Sequence, residues 1–429
     1  MNKTTVVVSC PIDTYSGYGA RSRDFIKALL SLEKYEVKVL SQRWGNTRFG
    51  YLADHQEVEL QNLIVHNLQS QPDVWIQITV PNEFKKTGKF NIGLTAGIET
   101  NLADASWIKG CNSMDLILTS SQHSKDIFLE TSFDAVDQNT NKTVGKVKLE
   151  TPIEVIFEGA DITKYFPTTP RPNSEVTIAL NQIKESFCFL FVGHWLQGDF
   201  GHDRKNVGYT VKSFLEVFKN KPNPPALILK TNNATTSLLD REEVLDKIES
   251  IKSTVKGSLP NIYLFHGDIT DEEVNELYNH PKVKAMVSFT KGEGFGRPLL
   301  EFSLSNKPII SSGWSGQLDF LDKDLAILVG GTLTDVHKSA LSQGTIIETS
   351  KWFTPDDGQA ANAIKNVYKN YKSFTVNAKK LGFKNRTNFS LDKMTEELGI
   401  ILERTLPDFP KQIELNLPKL NLPKLQTNG

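Results

Sequence analysis

The feature that most constrains this chain is an alternation, run through twice, of short apolar segments with amphipathic ones. Strand-like runs at 6–10, 37–40, 74–78, 92–95, 116–119 and 155–157 are separated by stretches of helical period. In 20–30, for example, Phe25, Ile26, Leu29 and Leu30 share one face. A second series follows at 187–192, 226–229, 262–265, 285–289, 308–311 and 326–329. Strand–helix alternation of this kind builds parallel sheets covered by helices on both faces. The chain therefore reads as α/β, with two doubly wound halves and a cleft between their strand carboxyl ends, where ligands of such sheets bind.

Between the halves the rhythm breaks. Pro167, Pro170 and Pro172 stand in a polar run, which marks 167–183 as a linker between a first domain at 1–166 and a second at 184–385. A long helical region is expected at about 359–381 and a last helix within 386–405, which Ser390 can cap. The polar insert 131–145 reads as an exposed loop. In the tail, 406–429, Asn-Leu-Pro-Lys-Leu occurs at 416–420 and again at 421–425. Proline every five residues cannot sustain a helix or an interior strand, so the tail is expected to be extended or disordered.

Composition excludes several classes. The 429 residues suit two or three domains, long enough to bury full cores without a disulfide or metal staple. Lys plus Arg total 49 against 50 Asp plus Glu, a net charge of −1, without the basic excess of a nucleic-acid binder. Cys10, Cys111 and Cys188 lie far apart beside apolar residues, as buried thiols of a reducing compartment do. The start MNKTTVVVSC has no signal h-region, and no apolar run approaches the ~20 residues of a membrane span. A cytoplasmic protein with no integral membrane segment is expected.

The most informative string is TKGEGFGRPLLEFSLSNKPIISSGWSG, 290–316, which follows a strand and precedes a helix that Pro298 can begin. Gly292, Gly294 and Gly296 permit close backbone approach and positive φ. The amides of Phe295, Gly296 and Arg297 would face out of a helix start, an anion site. Glu293 and Glu301 lie eight residues apart, so one carboxylate can reach the reacting end of a ligand and the other a distant pair of hydroxyls. A glycine loop alone is more often a plain turn; the whole ordered string is far more specific.

On these residues the chain resembles the retaining GT-B glycosyltransferases of family 4, whose E-x7-E motif is matched by Glu293 and Glu301, with Gly294-Phe295-Gly296, Pro298 and Leu300 in the usual surroundings. The resemblance covers roughly Val6 to Arg404. Residues 189–193 followed by Arg204-Lys205-Asn206 look like the family's strand and diphosphate-binding loop, and 155–161 through Phe166-Pro167 like the segment closing its first domain. It implies two Rossmann-like domains facing a cleft, the second holding a nucleoside diphosphate sugar and the first an acceptor. It also implies that the helix in 386–405 crosses back onto the first domain. Where the family usually has Arg after the strand glycine, this chain has His194, and Arg204 or Lys230 is expected to supply the second cation.

Without the resemblance, Arg204 and Lys205 read somewhat more readily as a solvated helix start, though a fixed cation there would stabilise a leaving diphosphate. Ser16-Gly17-Tyr18-Gly19 lies between strand and helix, so Gly17 and Gly19 amides can meet a phosphate or donor sugar. Ser22 stands where a dinucleotide fingerprint needs its third glycine, and no acid follows the second strand at Ser41-Gln42-Arg43, so a nicotinamide site is a minor option. Glu99 is placed for acceptor binding or as a helix N-terminal charge, and His123 as a helix-start residue. His194, Asp199, His202 and Asp203 read as a polar loop without metal-ligand spacing. Asp322-Lys323-Asp324 is too short a match to a D-x-D metal motif to carry weight. Gly313-Trp314-Ser315-Gly316 is no nucleophile elbow. Trp195 and Trp314 stand in cleft loops, to stack on a base or sugar or to pack in the core.

The expected function is transfer of a hexose from a UDP- or GDP-linked sugar to a hydroxyl of a glycan, lipid-linked or small-molecule acceptor, with retention and with neither cofactor nor metal. Lys205, Arg204 and Glu293 are the expected catalytic residues; Gly17, Gly19, Lys230, Gly294, Phe295, Gly296 and Glu301 bind the donor, and Glu99 the acceptor. A nucleotide-sugar epimerase or phosphorylase, or a non-catalytic sugar-binding protein of the same fold, are the alternatives.

Overall fold

Strands covered on both faces need near-continuous apolar runs, and the Val- and Ile-rich segments form two parallel sheets. In the computed structural model, which describes residues 3–409 apart from 138, 141, 196, 234 and 343, the first domain contains β1 (Thr4–Cys10), β2 (Tyr35–Ser41), β3 (Val74–Ile78), β4 (Phe90–Thr95) and β5 (Leu116–Thr119). An antiparallel hairpin, β6 (Ser132–Val136) and β7 (Thr143–Lys148), precedes β8 (Ile153–Val155). The sheet order is β2-β1-β3-β4-β5-β8. The second domain contains β9 (Cys188–Val192), β10 (Ala226–Lys230), β11 (Ile262–Phe265), β12 (Val283–Ser288), β13 (Ile309–Ser312) and β14 (Ile327–Val329), in the order β11-β10-β9-β12-β13-β14. A second hairpin, β15 (Gly331–Asp335) and β16 (Lys351–Pro355), follows. Each sheet is thus wound outward from its first strand, and the winding reverses between β1 and β3 and between β9 and β12.

Several sequence expectations change. The insert 131–145 is mostly the hairpin β6–β7: β6 alternates exposed and half-buried residues, whereas β7 is exposed except at Val147, so it is the exposed segment expected but is paired rather than a loop. The stretch expected to link the domains includes the helix Glu175–Asn181, capped by Ser174, with Val176 and Leu180 in the second domain's core. Proline-rich composition marked the approach to that helix, not a free tether. The helical region at 359–381 is two helices, Asp357–Lys369 and Tyr371–Asn388, divided at Asn370. Hairpin β15–β16 had no counterpart in the apolar pattern because β15 is exposed throughout. The repeat-bearing tail from residue 410 onward lies outside the described residues. Among the described residues no helix is long and apolar enough to cross a membrane.

The helix Leu391–Thr405 starts at Ser390, whose hydroxyl accepts the Lys393 amide. It follows the second domain in the chain, yet Met394, Leu398, Ile401 and Leu402 are buried in the core built on β1 and the helix Gly17–Ser31. Arg21, wholly buried, donates to the carbonyls of Ile156 and Phe157 at 2.5 and 2.7 Å where the chain leaves the first sheet. Both crossings between domains are therefore pinned to the same helix. Leu398→Ala removes a fully buried side chain from this contact and should cost about 2–5 kcal/mol. Urea unfolding checks it: an unchanged midpoint would show that the helix does not stabilise the first domain.

Candidate functional site

The loop after β9 places the cations. Asn206, which caps the helix Val207–Phe218, is left-handed at φ 55°. The Asn206 amide donates to the Phe289 carbonyl and the Asp203 carboxylate accepts the Val207 amide at 3.0 Å, so the loop is tied to the end of β12. Arg204 and Lys205 are thereby aimed at the 290–296 loop. Both Glu293 oxygens accept from Lys205 Nζ at 2.7 Å, and Arg204 donates to Glu293 Oε2 at 3.1 Å and to the Gly292 carbonyl at 2.9 Å. Glu99 lies across the cleft, 3.8 Å from the Arg204 guanidinium.

This cluster is buried, and its charges set one another. Burial alone would raise the Glu293 carboxyl, but Lys205 and Arg204 outweigh it and hold it below its usual range. Burial and the Arg204 charge pull the Lys205 ammonium down against the opposing pull of Glu293. Glu99 and Glu293 together keep Arg204 cationic in spite of burial. Nearby, the Lys230 ammonium donates to the Gly267 carbonyl and is lowered by burial. The His194 imidazole is lowered by desolvation and then by Lys205, so it stands neutral beside the cations. Arg204 and Lys230 both reach the same cavity as Lys205.

That cavity, about 550 Å³, lies between the carboxyl ends of the two sheets. Gly17, Glu99, His194, Lys230, Gly294, Phe295 and Gly296 all line it. Among the described residues the amides of Gly294, Phe295 and Gly296 donate to no protein acceptor, while that of Glu293 is taken by Ser315 Oγ. A Cβ at Gly17 would meet nothing within 4 Å, so a ligand has room there.

Two sequence expectations need correction. Gly19 does not line the cavity: its amide donates to Ser16 Oγ, and a Cβ would fall 2.2 Å from the Thr14 carbonyl, so packing of the turn is what requires glycine. At Gly292 and Gly294 the close approach is made by the other domain's backbone, not by a ligand. A Cβ there would sit 1.9 Å from the Glu99 carbonyl and 2.2 Å from that of Ala96. Gly296 alone keeps the expected left-handed role, at φ 99° before the helix Arg297–Ser303.

Glu301 lies in that helix and opens into an adjoining cavity of about 270 Å³, which shares Gly17, Asp268, Ile269, Arg297 and Pro298 with the first. Its Oε1 accepts from Arg297 Nε at 2.7 Å, and the same guanidinium pairs with Asp24 of the first domain. Burial pushes the Glu301 carboxyl up to about 7, with Arg297 opposing and Asp271 assisting. Arg297 stood inside the motif but was not singled out, because its partner Asp24 is 273 residues away in sequence. Glu158 was also missed; it is buried, lines the larger cavity, and its carboxyl is raised by burial.

The remaining motifs have structural partners. His202 stacks on His337 with ring centroids 4.1 Å apart, the Asp199 amide donates to Ser339 Oγ, and Asp203 caps a helix. Asp322 takes Lys384 and the Asp324 amide. Trp195 belongs to the second domain's core. His123, half-buried and lowered by desolvation to about 4, meets the Trp314 ring edge-on across the domains, at 4.7 Å.

No protein-family profile and no curated protein sequence matches this chain. Solved structures do. A glycosyltransferase from Rickettsia africae ESF-5 superposes with TM-score 0.62 at 14% identity, covering 95% of this chain and 100% of that one. Sucrose-phosphate synthase from Thermosynechococcus elongatus gives 0.60 at 12% identity, covering 94% and 99%. Anabaena HepE in complex with UDP-glucose gives 0.58 at 12%, covering 93% and 99%. With its two parallel six-stranded sheets facing one cleft, the chain has the GT-B fold of two Rossmann-like domains.

Proposed function

We propose that the protein is a retaining glycosyltransferase of the family 4 type, which moves a hexose from a nucleoside diphosphate sugar to an acceptor hydroxyl. The observation that carries this reading is the buried Lys205–Glu293–Arg204 cluster beside unpaired backbone amides in the interdomain cavity. Buried cations and free amides are what a leaving diphosphate needs, since fixed charge in a dry site stabilises the transition state most. Likeness to HepE in its complex with UDP-glucose supports a nucleotide-sugar donor and makes UDP-glucose the first one to test.

In the proposed reaction Lys205, Arg204 and Lys230 face the diphosphate, helped by the amides of Gly294, Phe295 and Gly296. Glu293 turns from the cations to the hydroxyls of the donor sugar as the diphosphate takes its place. Glu301 accepts the ribose hydroxyls. The anomeric carbon–oxygen bond to the diphosphate breaks while the acceptor oxygen bonds the same carbon on the same face. The departing phosphate oxygen takes the acceptor's proton, so no protein base is required. Glu99 lies on the first domain's side of the cluster, where the acceptor hydroxyl arrives. No resident metal or cofactor is part of this scheme, and the site of action is cytoplasmic.

Two measurements test it. Lys205→Ala should lower kcat about 10²–10³-fold with UDP-glucose or whichever nucleotide sugar is turned over, as loss of one transition-state donor does; unchanged turnover refutes the assignment. Ribose binding uses the ionised Glu301, whose carboxyl burial raises to about 7. Donor affinity should therefore fall as pH drops below 7, by up to about tenfold per unit, and Glu301→Gln should bind weakly with no such slope. Calorimetry between pH 5.5 and 8.5 that gives wild type and variant the same profile would remove Glu301 from the donor site.

A further inference from the structure

Residues 331–355 form a module with a small core of its own, and no step of the proposed reaction uses it. Its ends are closed by the Asp356 amide, which donates to the Gly330 carbonyl at 2.8 Å. Between them lies hairpin β15–β16, and the segment joining its strands turns back so that Val336 and Ala340 pack against Trp352, itself 1% exposed. The module touches the site in three places. At β16 the Phe353 amide donates to the Lys291 carbonyl at 2.8 Å, and the Lys291 amide donates in turn to the Arg204 carbonyl at 2.8 Å. At its edge Lys351 exchanges two bonds with Asn101 of the first domain. The Asn101 amide donates to the Lys351 carbonyl at 2.9 Å, and the Lys351 amide to Asn101 Oδ1 at 2.6 Å.

The third contact is with the loop after β9, which carries Arg204 and Lys205. That loop is anchored at its start by the Trp195 amide, which donates to the Asn232 carbonyl at 2.8 Å, and at its end by Asn206 on Phe289. Between the anchors the His202 ring stacks on His337, and Gln197 Nε2 donates to the Ser339 carbonyl at 3.2 Å. The Asp199 amide donates to Ser339 Oγ at 2.8 Å. His337 Nδ1 accepts the Ser339 amide at 3.2 Å, so the same nitrogen accepts the Ser339 hydroxyl at 2.8 Å. The hydroxyl thus spends its proton on His337 and a lone pair on Asp199. One small side chain joins the module to the loop.

We infer that Ser339 is a positioning residue for the proposed transfer, acting on the diphosphate through the loop that holds Arg204 and Lys205. A loop pinned at both ends still has many conformations, and fixing its middle removes them before the donor arrives. Fixed charge stabilises a transition state where it is already aimed, and a misplacement of about 1 Å can cost about 10²-fold. Because Asn101 holds the other side of the module, the two cations are located by both domains and not by their own alone. The inference rests on the transferase reading above and deepens it.

The full-length Ser339→Ala variant is compared with wild type by amide hydrogen exchange and, with the nucleotide sugar that wild type turns over, by kinetics. Exchange should quicken in a peptide covering 197–205 and stay as in wild type in β9 and β12, which also shows that the variant is folded. Its kcat should fall about tenfold with the donor KM nearly unchanged, the mark of an interaction realised in the transition state. Since Ser339 acts through the cations, the same substitution added to Lys205→Ala should cost less than about threefold. Unchanged exchange overturns the tie. Quicker exchange with unchanged kcat, a loss taken in KM instead, or a full tenfold loss in the Lys205→Ala background overturns the positioning role. No turnover of any nucleotide sugar by wild type is a different result, which removes the transferase reading and with it the role given to Ser339.

Discussion

One carboxylate shared by two cations organises this molecule. Glu293 takes both Lys205 and Arg204 in a region where each is at most 16% exposed in its side chain. Removing one member of such a buried group leaves an uncompensated charge, which costs about 3–5 kcal/mol in comparable cases. The three residues are held by backbone features on either side: a left-handed Asn206 tied to Phe289, and a Ser315 hydroxyl on the Glu293 amide. In the proposed reaction an incoming diphosphate exchanges with Glu293 at the cations, so charge stays balanced in a low-dielectric site throughout. The same exchange moves the carboxylate toward the sugar hydroxyls, coupling donor arrival to sugar orientation.

The two domains meet around this cluster by two kinds of contact. Backbone meets backbone where Gly292 and Gly294 lie against the carbonyls of Glu99 and Ala96, a distance that no side chain would permit. Charge meets charge where Arg297 joins Asp24 of the first domain to Glu301 of the second. Glu301 thus answers to the cleft as well as to the ribose it is proposed to hold. Its proton affinity follows from that position, because burial at the junction raises the carboxyl while Arg297 restrains it.

What could be read from the chain was whatever depends on near neighbours in sequence. Strand cores at 74–78, 116–119 and 262–265 carry their own apolar runs, and all three occur as written. The E-x7-E string likewise places its two acids by a loop and one helical turn. Hairpin β15–β16 escaped because none of the five residues of β15 is buried, so no apolar pattern could announce it. The glycines at 292 and 294 were visible as glycines, but the reason for them lies on another domain, at Glu99 and Ala96. Asp24, Arg297 and Glu158 were invisible for the same cause. A charged residue on a helix or in a loop reads as solvated until the fold covers it.

The doubled winding suggests why the chain has two unlike cavities and not one. Each sheet reverses beside its first strand, so each domain offers one crevice by construction. In the second domain the crevice is furnished with cations, free amides and a carboxylate, a set suited to a diphosphate and a sugar. In the first it is furnished with indoles, an amide and surface cations. Gly97, at φ 105°, and Gly294 bring the two strand ends within backbone contact, so the two crevices open close to one another. Transfer between substrates needs that proximity, because positioning two reactants is itself a large part of the barrier.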